Sequence, residues 1–486
     1  MTTAAARLPR RPTWPVEVAA GATLLALAVG MAVAVNVRVA AALVFVVLLG
    51  AIALLDLPLV IALWAALTVF SSTPPFGELT SATALVIIAA WVAHQRASHI
   101  SIRAALYPHG RLLALIALLL VWLTLSLVWS QDVAAARSEL VMDWYLTAGT
   151  VVVLLTSLRT VRDVRLVVVA IVVAVVAVVA LALAGIGGSA TPAGPYADPV
   201  SAERLQGVVG DPNFLAAFIV PAIVLSLTLR SVVGAQARAL LVPATILLVI
   251  GLAATGSRGG ILAALVVLIS AVVVMRGRRA AVLAAGAVAL IAAAAWFATN
   301  PTALDRLEAI SEDRGSGRED LWIVARRVSA DHPVGGVGLA NFTVRSREYV
   351  RRPGALEYVE LIVERPHVVH NTYLEMLAET GAVGLGLFLA VTYAGIASAV
   401  SAARRFERAG ERALAYVSRG VLVAMLGFLA AATFISAQGV SMFWVLLVLG
   451  PILLQLAPAK EARRERSAAG VGRRLIAAPG VQGRPG

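Results

Sequence analysis

The sequence predicts an all-α fold: a polytopic transmembrane helical bundle of about 12–14 spans, with one large extracytoplasmic loop that contains short helices. Of the 486 residues, 60% are hydrophobic and only 14% are charged, and the mean hydropathy is +0.90. A soluble domain has roughly 45–50% apolar and about 25% charged residues, so soluble fold classes are excluded. Since a span needs about 20 apolar residues, the chain accommodates a dozen or more.

Apolar runs between polar flanks predict the spans in order. They lie near 16–35, 39–55, 57–71, 79–94, 112–129, 144–158, 166–184, 213–229, 239–255, 260–275, 280–298, 377–400, 417–435 and 441–457. The first run follows three arginines, as in a signal peptide, but it is long and lacks a small-residue cleavage site. We interpret it as an uncleaved helix.

These runs divide the chain into five parts. They are a basic cytoplasmic tail (1–15), a bundle of about 11 spans (16–298), a large outward loop (299–376), a bundle of about three spans (377–457) and a disordered cytoplasmic tail (458–486). Because long loops that contain their own helices are usually functional, we expect the chemistry in the outward loop and the shorter outward segments near it.

The charges are distributed unevenly between the two sides. With a cytoplasmic N-terminus, the inward segments are 1–15, 56, 95–111, 159–165, 230–238, 276–279, 401–419 and 458–486. They hold 26 basic and 6 acidic residues, whereas the outward side and its membrane edge hold 14 basic and 20 acidic residues. This asymmetry follows the positive-inside rule and predicts that both termini are cytoplasmic. The net charge of +13 therefore orients the chain and does not indicate a nucleic-acid partner.

The large loop contains two predicted helix starts. Ser316 and Glu319 have capping-box spacing, and the helix that follows carries an apolar face, so we expect it to lie flat on the membrane surface. That face comprises Leu321, Trp322, Val324, Ala325 and Val328. The glycine-rich GGVGLANF (335–342) predicts a turn, because no parallel strand precedes it as a nucleotide site would require.

The second start is HNTYLE (370–375), where Thr372 and Glu375 again have capping-box spacing and His370 stands just before the helix. A helix N-terminus lowers the pKa of a nearby imidazole, so His370 is a candidate base that stays neutral at pH 7. The alternative is an ordinary hydrogen-bonded surface histidine.

Metal and cofactor sites are not predicted. The chain has no cysteine, and the outward loops contain no D-x-D. His367 and His370 form H-x-x-H, which with Glu364 offers three ligands, but no further ligand follows at a familiar spacing. We therefore expect no bound metal and no cofactor.

Two further arginines stand at breaks in apolar sequence. Arg258 interrupts a long apolar segment at TGSRGG, which places it at the outer membrane edge. Such a guanidinium binds an anion such as a phosphate, or else extends to the lipid headgroups. Arg204 precedes a helix that Asp211 caps and Pro212 opens, and either a ligand role or a plain loop role fits it.

Four blocks in order resemble the bacterial O-antigen ligase and O-antigen polymerase superfamily. They are RLQGVVGDPNFLA (204–216), TGSRGGILA (255–263), PVGGVGLANF (333–342) and HNTYLEMLAETGAVG (370–384). The last has His, Asn, nine residues, Gly, two residues and Gly, a spacing similar to the signature of that superfamily. The resemblance covers about 200–400, and the order of four blocks makes it specific.

The resemblance implies a bacterial cytoplasmic-membrane glycosyltransferase, active in polysaccharide or lipopolysaccharide biosynthesis. Such an enzyme moves a glycan from an undecaprenyl diphosphate carrier to a glycan or lipid acceptor on the outer side, with inversion and without metal or nucleotide. His370 would be the activating base, and Arg258, Arg204 and Arg318 would hold the diphosphate. Asn213, Asn371 and Thr372, from the same blocks, would support them.

The motifs do not distinguish a ligase from a polymerase, because the two differ only in the acceptor. A secondary transporter is the main alternative from another class. Transporters place ionisable residues at mid-membrane on broken helices, whereas the predicted spans here carry few charges between their ends. A non-catalytic partner in an export assembly is a third possibility.

Overall fold

The computed structural model describes most of the chain, and the predicted tails 1–15 and 459–486, the first span 16–35, Ser316 and Glu364 lie outside the described residues. The described residues are 37–71, 76–98, 102–187, 204–299, 318–352, 356 and 367–458. Within these ranges every regular element is helical, which confirms the predicted all-α bundle.

Seventeen α-helices occupy the described ranges. In chain order they are α1 (Val37–Leu55), α2 (Leu57–Leu67), α3 (Phe76–Ser98), α4 (Ile102–Leu106), α5 (Gly110–Ser126), α6 (Val133–Glu139), α7 (Leu146–Ser157), α8 (Val161–Leu183), α9 (Pro212–Leu229), α10 (Ala235–Ala254), α11 (Arg258–Val274), α12 (Arg279–Thr299), α13 (Arg318–Asp331), α14 (Phe342–Val350), α15 (Thr372–Arg408), α16 (Arg412–Ala431) and α17 (Ser441–Leu456).

The apolar helices correspond to the second through fourteenth predicted spans. Nine helices in the described part are long and apolar enough to cross a membrane, and four shorter apolar helices accompany them. The largest difference is at the span predicted for 144–158, which begins at Val133. Asp132 caps this earlier start, since its Oδ1 accepts a hydrogen bond from Ala135 N at 2.9 Å. A π-helical turn over Leu140–Tyr145 then joins α6 to α7.

Segments predicted to face inward contact one another in three pairs. Arg162 Nη2 donates a hydrogen bond to Asp56 Oδ2 at 3.0 Å, and His109 Nε2 lies 2.9 Å from Gln455 Oε1. Arg278 lies over the ring of Tyr416 at 4.4 Å. Each contact pairs two segments that the sequence places on the inward side or at its membrane edge, so the contacts are compatible with the predicted order of the spans, whose orientation stays a prediction.

The core and the lipid-facing surface are formed by different helices. Helix α17 is buried on nearly all sides, from Met442 to Leu453, and packs with α15 and α16. In contrast, the apolar window Arg276–Trp296, which includes most of α12, has no buried residue. A helix that is apolar all round is stable either inside a protein or against lipid, and the bundle contains both kinds.

Helix α15 is broken at Gly381, where φ is +67° and ψ is −172°. The glycine-rich turn packs into this break: Val337 N donates to Ala378 O at 3.0 Å, and Ala382 N donates to Pro333 O at 2.8 Å. A Cβ on Gly381 would collide with the carbonyl of Val334. GGVGLANF is therefore a turn, as predicted, and it anchors the outward loop to the bundle.

The predicted position of the loop helix on the membrane surface is wrong for α13. Four of its five predicted apolar residues are buried inside the protein, and Trp322 packs beside them. They contact the side chains of α14 and the start of α15, including Phe342, Tyr349 and Ala378. Because α14 and α15 already cover this face, it is not available to lipid. The loop thus has a small apolar core of its own.

Candidate active site

His370 lies immediately before α15 in a strained backbone conformation. Its φ is +52°, in the left-handed region that non-glycine residues rarely adopt. The conformation is held by its backbone N–H, which donates to Ser436 Oγ at 3.1 Å. The side chain is half-buried. Strain of this kind costs on the order of 1–3 kcal/mol and is concentrated at functional sites.

Asn371, and not Thr372, caps α15. Asn371 Oδ1 accepts hydrogen bonds from the backbone N–H groups of Tyr373 and Leu374, both at 3.0 Å. The capping box predicted for Thr372 and Glu375 is wrong, because the Thr372 hydroxyl is bonded elsewhere. Its Oγ1 donates to Ile435 O at 2.8 Å and accepts from Ala437 N at 2.9 Å. Both supporting residues therefore hold the start of the helix in place.

Glu375 connects the His370 segment to the loop between α16 and α17. Its carboxylate accepts hydrogen bonds from Val369 N at 3.0 Å, from Gln438 Nε2 at 2.8 Å and from the Ser436 hydroxyl. The Glu375 side chain is buried. Since Ser436 Oγ also accepts the N–H of His370, this network fixes the backbone that carries the imidazole.

Arg258 is the first residue of α11, at the break that the sequence predicts. Helix α10 ends at Ala254, Gly256 has a φ of +55°, and Ser257 caps α11 by accepting from Gly260 N at 3.1 Å. The side chain of Arg258 is exposed, so its guanidinium is accessible at this end of the bundle.

Arg204 and Asn213 stabilise the turn that presents Arg258. Arg204 Nε donates to Thr255 O at 2.8 Å, and its Nη2 donates to Asn213 Oδ1 at 3.2 Å. The same Asn213 oxygen accepts from Ser257 Oγ at 2.9 Å. Residues more than 40 positions apart in two blocks therefore form one hydrogen-bonded unit, in which Arg204 has a positioning role.

Arg318 is brought beside Arg258 by an aromatic contact. The Trp322 ring, one turn after Arg318 on α13, packs against Phe434 with centroids 6.1 Å apart. Phe434 in turn lies against Gly259, where a Cβ would come within 2.8 Å of the phenyl ring. The glycine after Arg258 thus permits the close approach of the loop helix to α11.

The charges of the site act directly on His370. Burial lowers the pKa of His370 to about 4, and the positive charge of Arg318 lowers it in the same direction, against the opposing effect of Asp211. Burial also lowers the pKa of Arg318, while Asp211 raises it and Arg258 lowers it. The imidazole is therefore neutral at pH 7, as predicted. The largest cause is burial, and the charges of Arg318 and His367 act in the same direction.

The electrostatic contacts show that His370, Arg318, Arg258 and Asp211 share one region at the outward-predicted end of the bundle. A neutral imidazole and two guanidiniums at one place can accept a proton and stabilise an anion. Among the described residues, no group of three or more His, Asp or Glu side chains is arranged to hold a metal ion.

Sequence reasoning missed the loop between α16 and α17. Ser436 and Gln438, which lie between two predicted spans, bind Glu375, and Phe434, at the end of the span predicted for 417–435, joins α13 to α11. The signal was the polar S-A-Q segment within otherwise apolar sequence. The charge of Asp211 beside Arg318 was also missed, because Asp211 was assigned only a capping role. That cap is real, with Phe214 N donating to Asp211 Oδ1 at 3.0 Å.

Comparison with known proteins gives one family. Residues 243–389 match the model of a family described as O-antigen ligase. The matched range includes Arg258, Arg318 and His370, whereas Arg204 and Asn213 precede it. No curated protein matches the chain significantly.

Proposed function

We propose, on the premise that residues 243–389 match the O-antigen ligase family, that the chain transfers a glycan from an undecaprenyl diphosphate carrier to an acceptor hydroxyl. A multi-pass membrane glycosyltransferase of the ligase and polymerase superfamily is the class that this family supports. The observation that carries the finer proposal is the convergence of His370, Arg258 and Arg318 at one end of the bundle.

The two arginines act on the leaving group. As the bond between the anomeric carbon and the diphosphate oxygen breaks, the diphosphate leaves with the bonding electrons and gains negative charge. Arg258 and Arg318 are already placed there, so they stabilise the transition state more than the ground state. Arg204 positions the turn that carries Arg258 and adds its own charge. This supply of positive charge supports a mechanism without a metal ion.

His370 acts on the acceptor. Its neutral imidazole accepts the proton of the acceptor hydroxyl while the hydroxyl oxygen attacks the anomeric carbon from the face opposite the diphosphate, which inverts that carbon. A base with a pKa of about 4 is weak. The bound diphosphate makes the base stronger, because its negative charge offsets the positive charge of Arg318 and raises the pKa of His370. Donor binding thus activates the base.

The pH dependence of transfer tests this coupling. A general base works in its neutral form, so activity is lost as the pH falls through its pKa. The pH profile of kcat/KM reports the free enzyme, so its activity is expected to fall on the acid side near pH 4. The profile of kcat reports the enzyme with bound donor, so this fall is expected at a higher pH. In Arg318→Gln the limb of kcat/KM is expected to move upward, since a cause that lowers the pKa is removed.

The matched control is Arg326→Gln, an exposed position on the same helix, which is expected to leave both limbs unchanged. A limb of kcat/KM at the ordinary imidazole pKa of about 6.5 in the wild type would contradict the proposed environment of His370.

The charge asymmetry predicts the side on which the site lies. We propose that the termini and the loop 276–279 are cytoplasmic and that 299–376 faces outward, where the donor is presented. Reporter fusions near 277 and 345 measure this, with an inward signal expected at the first and an outward signal at the second. A cytoplasmic signal near 345 would defeat the site assignment as well as the topology.

The direct test is turnover by the purified protein in liposomes. We expect transfer of the glycan from an undecaprenyl diphosphate-linked donor to a lipid or glycan acceptor, at the same rate with and without a chelator. Movement of the intact donor across the bilayer without transfer would indicate a transporter. The absence of both activities would indicate a non-catalytic partner of an export assembly. The acceptor that the protein uses, a lipid or another glycan, distinguishes a ligase from a polymerase.

A further inference from the structure

A cavity of about 500 Å³ lies beside the glycine-rich turn, and its lining includes neither His370 nor Arg258 or Arg318. Two tryptophans line it, Trp122 near the end of α5 and Trp129 just after that helix. Polar side chains lie around it, from Gln131, His332 and Arg345. None of these residues is used in the transfer step proposed above.

The two indole rings are held in fixed orientations. Trp122 Nε1 donates to Thr380 O at 2.9 Å, and Trp129 Nε1 donates to Gly335 O at 3.2 Å. Their ring centroids are 5.7 Å apart, with an interplanar angle of 57°. Because both N–H groups are bonded to the backbone, the rings offer flat apolar faces without unpaired donors. Trp129 remains 40% exposed, so part of its side chain is accessible to a ligand.

The polar side chains suit a ligand with many hydroxyl groups. The Gln131 amide both donates and accepts, the His332 imidazole has two ring nitrogens, and the Arg345 guanidinium has five N–H donors, one of which bonds Glu348 Oε1 at 3.3 Å. Flat apolar faces beside such groups match a pyranose ring, which has a face of C–H groups and an edge of hydroxyls. A purely lipid-facing surface would not need three polar groups around the tryptophans.

We propose that this cavity is a glycan-binding subsite that holds about one or two sugar rings, a ligand size that such a volume accommodates. The inference rests on the proposed glycan transfer. Thr380, which orients Trp122, lies ten residues after His370, so about 15 Å of helix separates the cavity from the base. The subsite would therefore bind sugars remote from the bond that forms, and it would position the glycan chain along the outward surface.

Binding of a glycan without a lipid diphosphate tests the subsite separately from transfer. The probe is an oligosaccharide, which mild acid releases from the lipid-linked glycan of the source organism. It is titrated against the purified wild-type protein by calorimetry. We expect saturable binding that persists in Arg258→Lys and is weakened about tenfold in Trp129→Leu. Undecaprenyl diphosphate without a glycan is expected to bind equally well to the wild type and to Trp129→Leu.

Three substitutions separate ring stacking from membrane anchoring. Trp129→Phe keeps a flat ring and is expected to retain most of the glycan affinity, whereas Trp129→Leu keeps an apolar side chain without one. The control, Val128→Ala, removes an 83% exposed neighbour and is expected to leave glycan affinity unchanged. Equal losses in Trp129→Phe and Trp129→Leu, or no loss in either, would overturn the stacking assignment.

The outcomes for the two proposals are distinguishable. If the wild type transfers glycan but does not bind the released oligosaccharide, the subsite is refuted and the proposed function stands. If the oligosaccharide binds through Trp129 but the protein neither transfers glycan nor binds undecaprenyl diphosphate, the proposed function fails. Reduced membrane insertion of Trp129→Leu with unchanged glycan affinity would reassign the tryptophans to an interfacial anchor.

Discussion

Replacing His370 by alanine is expected to lower the rate of glycan transfer by about 10²–10⁴, the usual contribution of a positioned general base. Donor affinity is expected to change little, because the arginines carry that binding. Single-turnover transfer and donor affinity should be measured together, in liposomes, with and without a chelator. His367→Ala is expected to have a milder effect, and His94→Ala, on α3 at the opposite end of the bundle, none.

Two results would reassign His370. A loss of donor binding in His370→Ala that matches its loss of rate would make the residue part of diphosphate recognition. Activity abolished by a chelator and restored by Mn²⁺ or Zn²⁺ would instead support a metal site at H-x-x-H. In either case Glu375 and Ser436 would still hold the backbone at His370, but the imidazole would not be the general base.

Replacing Arg258 by lysine is expected to reduce transfer by about 10²–10³, as the loss of one preorganised anion-stabilising group does. Lysine keeps the charge, but it loses the planar fork that binds two oxygens of a phosphate at once. The amount of membrane-inserted protein is expected to stay the same, since the side chain is exposed and Ser257 still caps α11. Turnover and the level of inserted protein are the two measurements.

The control for this substitution is Arg276→Lys, an exposed arginine just beyond the opposite end of α11. It has the same chemistry but lies far from the outward site, so transfer is expected to be unaffected. Near-normal turnover in Arg258→Lys would show that Arg258 extends to lipid headgroups and does not bind the diphosphate.

The sequence alone predicted the spans because the membrane imposes a local rule. Each span must be a long apolar helix that satisfies its own backbone hydrogen bonds, so a window of about 20 residues contains the whole signal. The same rule singled out Arg258, because an ionised side chain in such a window costs free energy unless it meets an anion or water. His370 was found by its motif and its position before a helix.

The tertiary structure decided how these residues are held. The bond from Ser436 to Glu375 joins residues 61 positions apart, and the bond from Ser257 to Asn213 joins residues 44 apart. No local pattern reports such pairs. A long-range hydrogen bond also explains why Asn371 caps α15. The hydroxyl of Thr372 is bonded to a loop more than 60 residues away and is not available as a cap.

Composition and local pattern thus determined the fold class and the apolar helices, and the resemblance of four blocks supplied the candidate site residues. Only the packing of α13 against α14 and α15 decided that its apolar face is buried and that Arg318 reaches the site. The pKa of His370 likewise depends on burial and on the charges of Arg318 and Asp211, which come from distant segments. Burial and electric fields are properties of the assembled structure, because they sum over groups that are close in space and far apart in sequence.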